Sequence, residues 1–270
     1  MYESKNKDTV IYNFRSVGEF MDMAGQSSFD AEGATSRWAF GTNEEADNRK
    51  KTYSLLRAGR GLSSVRKLSQ KYRQEFQNSS LGEIMQRVQS IKRVRRFNDF
   101  NGNLDIDRVM AGDPNSWVKV ERNGKAKVVR VGINFCLSNG NVIKDFSRMV
   151  ALSAIFAEIL ENMGYGVEIY GSSLWEAHKG RKLKKWQGIQ FPVKSVTEPL
   201  DFDRIYSLGL PGLLRDAQFR VEQHLTGQYG GLCSPPPQEM LKLAEVDVII
   251  EKSWTDGNQV EQIVKVIEGL

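Results

Sequence analysis

Two stretches of the chain combine cationic and aromatic side chains at close spacing. The first places Lys92, Arg93, Arg95 and Arg96 beside Phe97 and Phe100. The second sets Lys179, Arg181, Lys182, Lys184 and Lys185 between Trp175 and Trp186. Lysine and arginine neutralise phosphates and release their counterions, whereas an aromatic face stacks on an unpaired base whatever its identity. A duplex exposes no base faces, so charges interleaved with rings point to single-stranded nucleic acid. The alternative is that the charges are solvated and the two tryptophans anchor the second stretch to the core.

Charge distribution strengthens the first reading. The 270 residues carry a net +5, but residues 48–98 hold fourteen basic side chains against two acidic ones, a net of +12, which leaves −7 for the remainder. A basic block on a mildly acidic body suggests a polyanion partner. It adds Arg57, Arg60, Arg66, Lys67, Lys71 and Arg73 to the candidate DNA contacts. Gly59-Arg60-Gly61-Leu62-Ser63-Ser64 has the make-up of an anion cradle opening a helix. It lacks the Gly-Lys-Ser/Thr ending and the preceding strand of a nucleotide-binding P-loop.

Signs of catalysis are few. There is no Gly-x-Ser-x-Gly elbow, no His-Glu-x-x-His, and only two histidines, so acid–base chemistry has few players. Asp105-x-Asp107 and Asp201-x-Asp203 read as helix caps or loop residues. Cys136, Cys233, His178 and His224 contain no close-spaced pair of the kind a zinc site uses. The expectation is a non-enzymatic protein without a cofactor or metal. With no apolar run able to span a bilayer and only two cysteines, it is expected in a cytoplasm.

The elements that must position these residues centre on 127–173. An apolar run, Val128–Phe135, breaks at Ser138-Asn139-Gly140, and Phe146, Met149, Val150, Ser153, Phe156, Leu160 and Met163 then recur with helical spacing. Gly164 and Gly166 end that helix before a second strand, Val167–Tyr170, so strand, helix and strand form a parallel crossover. Ligands of such sheets sit beyond the carboxyl ends of the strands, here near Cys136–Asn141 and Gly171–Ser173. Upstream, a strand from Thr9 leads to a helix carrying Val17, Phe20, Met21 and Ala24. Thr42-Asn43-Glu44-Glu45 reads as a capping box, and further helices are predicted from Ser63 or Ser64 to about Phe76 and over Leu81–Val94. Asn123-Gly124 predicts a hairpin joining Trp117–Glu121 to Lys125–Phe135. Downstream come a strand at Gly188–Val196, a helix over Pro211–Leu225, a short helix holding Met240, Leu241 and Leu243, a strand at Val246–Ile250 and a helix over Gln259–Ile267. The expected organisation is a mostly helical basic region, 1–115, packed on an α/β core, 116–270, with a basic excursion at 172–187.

Two resemblances add to this reading. The turn Asn134-Phe135-Cys136-Leu137-Ser138 resembles the strand end of von Willebrand A domains, Asp-x-Ser-x-Ser, where the side chains hold a divalent cation. Asn134 stands for the aspartate and Cys136 for the first serine. The resemblance therefore implies a Rossmann-like, mainly parallel sheet flanked by helices, and argues against its metal site. Trp38-Ala39-Phe40-Gly41-Thr42 with Glu44-Glu45-Ala46, and Val109-Met110-Ala111-Gly112-Asp113-Pro114, resemble elements of a poorly characterised family of tailed-phage proteins with such a core. That resemblance, together with the basic stretches, suggests the single-stranded-DNA-binding RNA polymerase cofactors of Schitoviridae phages, and carries over no contact residue. It implies a protein of the host cytoplasm that binds single-stranded DNA without sequence preference and serves a phage RNA polymerase or replication machinery. The rival is a protein-interaction scaffold using the face around Cys136–Asn141 and Gly171–Ser173.

Overall fold

The computed structural model describes residues 1–6, 8–26, 54, 55, 57, 58, 60, 63–78, 80–89, 94–98, 103, 104, 106–121, 127–135, 143–179, 182–210, 213–227, 238–251, 263, 265–267 and 269. The Trp38–Thr42 motif, the capping box at Thr42, the Asn123-Gly124 turn, Cys136–Asn141 and the contact candidates Lys92, Arg93 and Arg181 lie outside the described residues.

In chain order the strands are β1 (Tyr2–Lys5), β2 (Thr9–Asn13), β3 (Val94–Asn98), β4 (Asn103–Leu104), β5 (Trp117–Glu121), β6 (Val128–Asn134), β7 (Gly166–Lys179), β8 (Lys182–Lys194) and β9 (Val248–Ile250). The helices are α1 (Val17–Gln26), α2 (Ser63–Gln77), α3 (Ser80–Gln89), α4 (Ile106–Met110), α5 (Ile143–Asn162), α6 (Phe202–Ser207), α7 (Phe219–Thr226) and α8 (Gln238–Leu243). A π-helical turn, Leu213–Gln218, leads into α7, where the sequence predicts one regular helix from Pro211.

Six strands form one mixed, mostly parallel α/β sheet in the order β1-β2-β8-β7-β6-β9. β6 lies parallel to both β7 and β9, and β2 parallel to β8. β1–β2 and β7–β8 are antiparallel. The crossover β6–α5–β7 is the one the periodicity predicts. Phe146, Met149, Val150, Ser153, Phe156 and Leu160 of α5 are buried, and Gly164 caps the helix at φ +92°, in the left-handed region. Strand β6 is central, with both edges paired and Val131–Asn134 all buried. This arrangement overturns the predicted hairpin. β5 pairs instead with β3 and β4 in a separate three-stranded sheet ordered β3-β5-β4. A turn signal is local, whereas β6 is claimed by two long-range partners whose apolar rows it matches.

The first 26 residues belong to the main sheet, since β1 and β2 close one side of it against β8. Helix α1 buries Phe20, Met21 and Ala24 in the main core. There Phe20 stacks on Phe191 at 4.9 Å between ring centroids, and Phe191 meets Phe135 at 5.7 Å. Gly171 makes room for that ring, because a Cβ at 171 would lie 2.5 Å from it. Helices α2, α3 and α6 pack on α5. On the opposite face a smaller cluster of Ile11, Leu174, Met240, Ala244, Val246 and Ile249 is covered by α8, with Tyr170 and Trp186 at its margin.

Ion pairs lock these layers. Lys194 is buried, and its ammonium spends its donors on Glu161 at 2.8 Å and on the carbonyls of Val167 at 2.9 Å and Ser195 at 3.0 Å. A buried cation is tolerated only with such partners. Arg130 on β6 reaches Glu168 on β7 at 3.1 Å, and its amide donates to Asp247 ahead of β9 at 2.8 Å. Burial and then the neighbouring Glu168 push the Tyr170 phenol up to about 12. It stays protonated and donates to that carboxylate at 3.1 Å.

Candidate nucleic-acid interface

The second basic stretch is not an excursion from the sheet. Strands β7 and β8, of 14 and 13 residues, form one long antiparallel ladder. Its base is fixed on both sides, since β6 pairs with β7 as far as Ser172 and β2 pairs with β8 from Trp186 to Gln190. Beyond those limits Ala177–Lys179 and Lys182–Lys185 are paired with each other and with no other strand among the described residues, with a register shift at Ala177/His178. Lys179, Lys182, Lys184 and Lys185 therefore sit on a free ribbon, and Lys179 stands directly opposite Lys182. Like charges facing each other across a ladder destabilise it. The nearest acid in the register, Glu176, is opposite Trp186.

The tryptophans divide. Trp175 is 3% exposed and belongs to the main core, so it offers no face to a base. The stacking role expected of it is corrected to that of an anchor, because β7 continues the sheet and alternation turns position 175 onto the α5 face. Trp186 is half-buried against the smaller cluster.

The first stretch also differs from its expected form. The helix predicted over Leu81–Val94 ends at Gln89, and Val94 opens β3. Arg95, Arg96 and Phe97 thus lie on an edge strand, in register with Val120, Lys119 and Val118 of β5. This small sheet and the ribbon share no strand, so the fold does not join the two stretches into one sheet surface.

The basic residues around α2 have other commitments. Arg57 forms an ion pair with Asp22, and Arg66 pairs with Asp203 at 2.9 Å. Lys71 faces Glu75 one turn on, at 3.8 Å. Arg73 bonds Glu158 of α5 at 2.7 Å and stacks over the Phe202 ring at 3.9 Å. The contrast of +12 against −7 along the chain is thus in part the two halves of intramolecular pairs. Arg60 and Lys67 are exposed and have no ionic partner among the described residues.

Between α2 and α6 lies a cleft of about 520 Å³ lined by Leu55, Ala58, Arg60, Arg66, Asp201, Asp203 and Tyr206. Asp201 caps α6, its Oδ1 accepting from the amides of Asp203 at 2.9 Å and Arg204 at 3.3 Å. The cap is legible in the sequence, whereas the cleft is not, because Arg66 and Asp203 meet only through tertiary packing.

The carboxyl end of β6 presents a different chemistry. Asn13, Gln190, Ser172 and Asn134 stand in one register row across β2, β8, β7 and β6, and all four are buried. Asn134 Oδ1 accepts from the Leu174 amide at 3.3 Å. Burial raises the Glu251 carboxyl above its ordinary value, while a hydrogen bond from Asn134 opposes the rise. Among the described residues no group of three or more His, Cys, Asp or Glu is placed to hold a metal ion. None of the described helices is long and apolar enough to cross a membrane.

These features define a mixed α/β protein whose sheet continues into a basic two-stranded β-ribbon. A family model described as a domain of unknown function, DUF7192, matches residues 3–270, and the chain belongs to that family. Neither a curated protein nor a solved structure matches it.

Proposed function

We propose that the protein binds single-stranded DNA without sequence preference, through the free end of the β7–β8 ribbon. The observation that supports this is the placement of Lys179, Lys182, Lys184 and Lys185 at the far end of a β-ladder whose base is locked between β6 and β2; Arg181 adds a fifth charge to the same stretch of sequence. A ladder locked at its base limits the entropic cost of binding, and phosphates neutralise a stretch rich in lysine. Edge strand β3, with Arg95, Arg96 and Phe97, supplies a second contact. In this reading the protein acts in a phage-infected host cytoplasm, holding melted DNA for an RNA polymerase or replication machinery. Its core is a von Willebrand A-like domain without the metal site. It acts as a binder, not a catalyst. Fluorescence anisotropy tests the claim. Affinity for a single-stranded oligonucleotide exceeds that for its duplex and falls steeply with salt, and equal affinity for both would sink the proposal.

A protein partner is the second reading. The five-residue helix α4 leaves Ile106, Val109 and Met110 on one face, 70%, 43% and 83% exposed, next to Leu104 at 47%. Contiguous exposed apolar surface of this kind marks interaction sites. Replacing Ile106 and Met110 by Ser abolishes co-purification with a phage polymerase if that face binds it, and leaves DNA affinity unchanged.

A further inference from the structure

The cleft between α2 and α6 does chemistry that the ribbon does not. Its charged lining is balanced, two arginines against two aspartates, but their free valences are not. Asp203 is engaged by Arg66 through Nε at 2.9 Å. Asp201 Oδ1 is engaged by two amides, and its Oδ2 has no partner among the described residues. Arg60 keeps its whole guanidinium free among the described residues. The terminal N–H groups of Arg66 have no partner among the described residues. Tyr206 is 1% exposed and lines the cleft, with the Arg73 side chain beside its hydroxyl.

Donors from Arg60 and Arg66 therefore outnumber the two acceptors left among the described residues, Asp201 Oδ2 and Asp203 Oδ2. Arginine forks match the geometry of phosphate oxygens. A strand running through the cleft fits badly, because phosphates on both sides of the bound one would meet Asp201 and Asp203, so the bound phosphate is a terminal one. The occupant carries one phosphate, and at its far end N–H groups that a carboxylate can accept. Leu55 and Ala58 add apolar lining. A volume of about 520 Å³ lies within the range of small-molecule sites. We infer that this cleft binds a single nucleotide, its phosphate held by Arg60 and Arg66 and its base donors turned to Asp201. This goes beyond the ribbon's capture of a strand and does not depend on it. The source is a free mononucleotide or the 5′-phosphorylated end of a strand.

Calorimetry on the full chain with deoxyguanosine 5′-monophosphate tests it, with deoxyguanosine and inorganic phosphate as controls. Saturable binding of the monophosphate, at least tenfold tighter than either control and weakened at least tenfold by Arg60→Ala, is the expected result. No saturable binding up to millimolar ligand overturns the inference, as does an Arg60→Ala variant that binds equally well. Equal affinity for inorganic phosphate also overturns it, reducing the cleft to an anion site. Arg60 makes no side-chain contact that the fold uses among the described residues, and circular dichroism verifies the variant. If Arg60→Ala weakens a 5′-phosphorylated oligonucleotide and spares its 5′-hydroxyl form, the occupant is a strand end. Weakening of the mononucleotide alone assigns the cleft to a free nucleotide. Replacing Lys182, Lys184 and Lys185 by Gln leaves mononucleotide binding unchanged, so failure of the ribbon and failure of the cleft give different results.

Discussion

Helix α2 and the β7–β8 ribbon are both strongly basic in sequence, and the fold treats their charges in opposite ways. On α2, Arg66 and Arg73 reach acids 137 and 85 residues away, and Arg73 also covers the Phe202 ring. Its charges hold the helix to α5 and α6. At the ribbon tip the pairing partner of a lysine is another lysine, Lys179 against Lys182, and no acid is in register. A basic run is thus informative about a partner only once its internal counterions are known. Net charge along the chain conceals that distinction.

The largest effect belongs to the ribbon's root. Trp175→Ala removes a buried indole from the main core and costs about 3–5 kcal/mol, read as a lower midpoint in urea. Should stability hold while DNA affinity falls, Trp175 would be a stacking residue and the anchor assignment wrong. On α2, Arg73→Ala strands the half-buried Glu158 and uncovers Phe202, at a cost of about 1–3 kcal/mol. Melting drops by several degrees, and the salt dependence of DNA binding does not move. Unchanged melting would show that α2's charges are as free as those of the ribbon.

A sharper test reverses a sign. Lys179→Glu puts an opposite charge across from Lys182, which stabilises the fold by about 0.2–1 kcal/mol while weakening DNA binding. Loss of both, or gain of both, breaks the comparison. The smallest effect concerns a half-buried acid just beyond β9. Burial raises the Glu251 pKa, so the folded state favours its protonated form. Its stabilising contribution is full below the ordinary carboxylate value and is lost as pH rises through the raised one. Glu251→Gln is therefore expected to match the parent at low pH and to melt slightly higher at neutral pH. A gain that grew on acidification would contradict that sign.

What was legible in the sequence was what local periodicity encodes. The spacing of Phe146, Met149, Val150 and Phe156 predicts α5, and Val65, Leu68 and Tyr72 predict α2 within a residue or two of its ends. The Asp201 cap reads directly from its spacing. Partnerships across long separations do not. Asn123-Gly124 is a sound turn signal, yet β5 joins β3 and β4, because strand pairing is decided by which apolar faces meet. The lysines at 182–185 read as part of a basic excursion, since nothing local shows that β7 and β8 continue the sheet through Trp175. The cleft of Arg60, Arg66, Asp201 and Asp203, and the buried row from Asn13 to Asn134, likewise combine residues that no spacing relates.

The central claim is that the ribbon's lysines, and not those of α2, meet the DNA phosphates. The direct test compares two triple variants, Lys182, Lys184 and Lys185 to Gln, and Arg66, Lys67 and Lys71 to Gln. Affinity for a single-stranded oligonucleotide is measured from ~50 to ~300 mM salt. At roughly 0.7 counterions per phosphate contact, the ribbon variant loses about 2 from the slope of log affinity against log salt, and about a hundredfold in affinity near 0.1 M. The α2 variant loses less than about 0.7 from the slope. Equal losses in the two variants, or a larger loss from α2, would contradict the account.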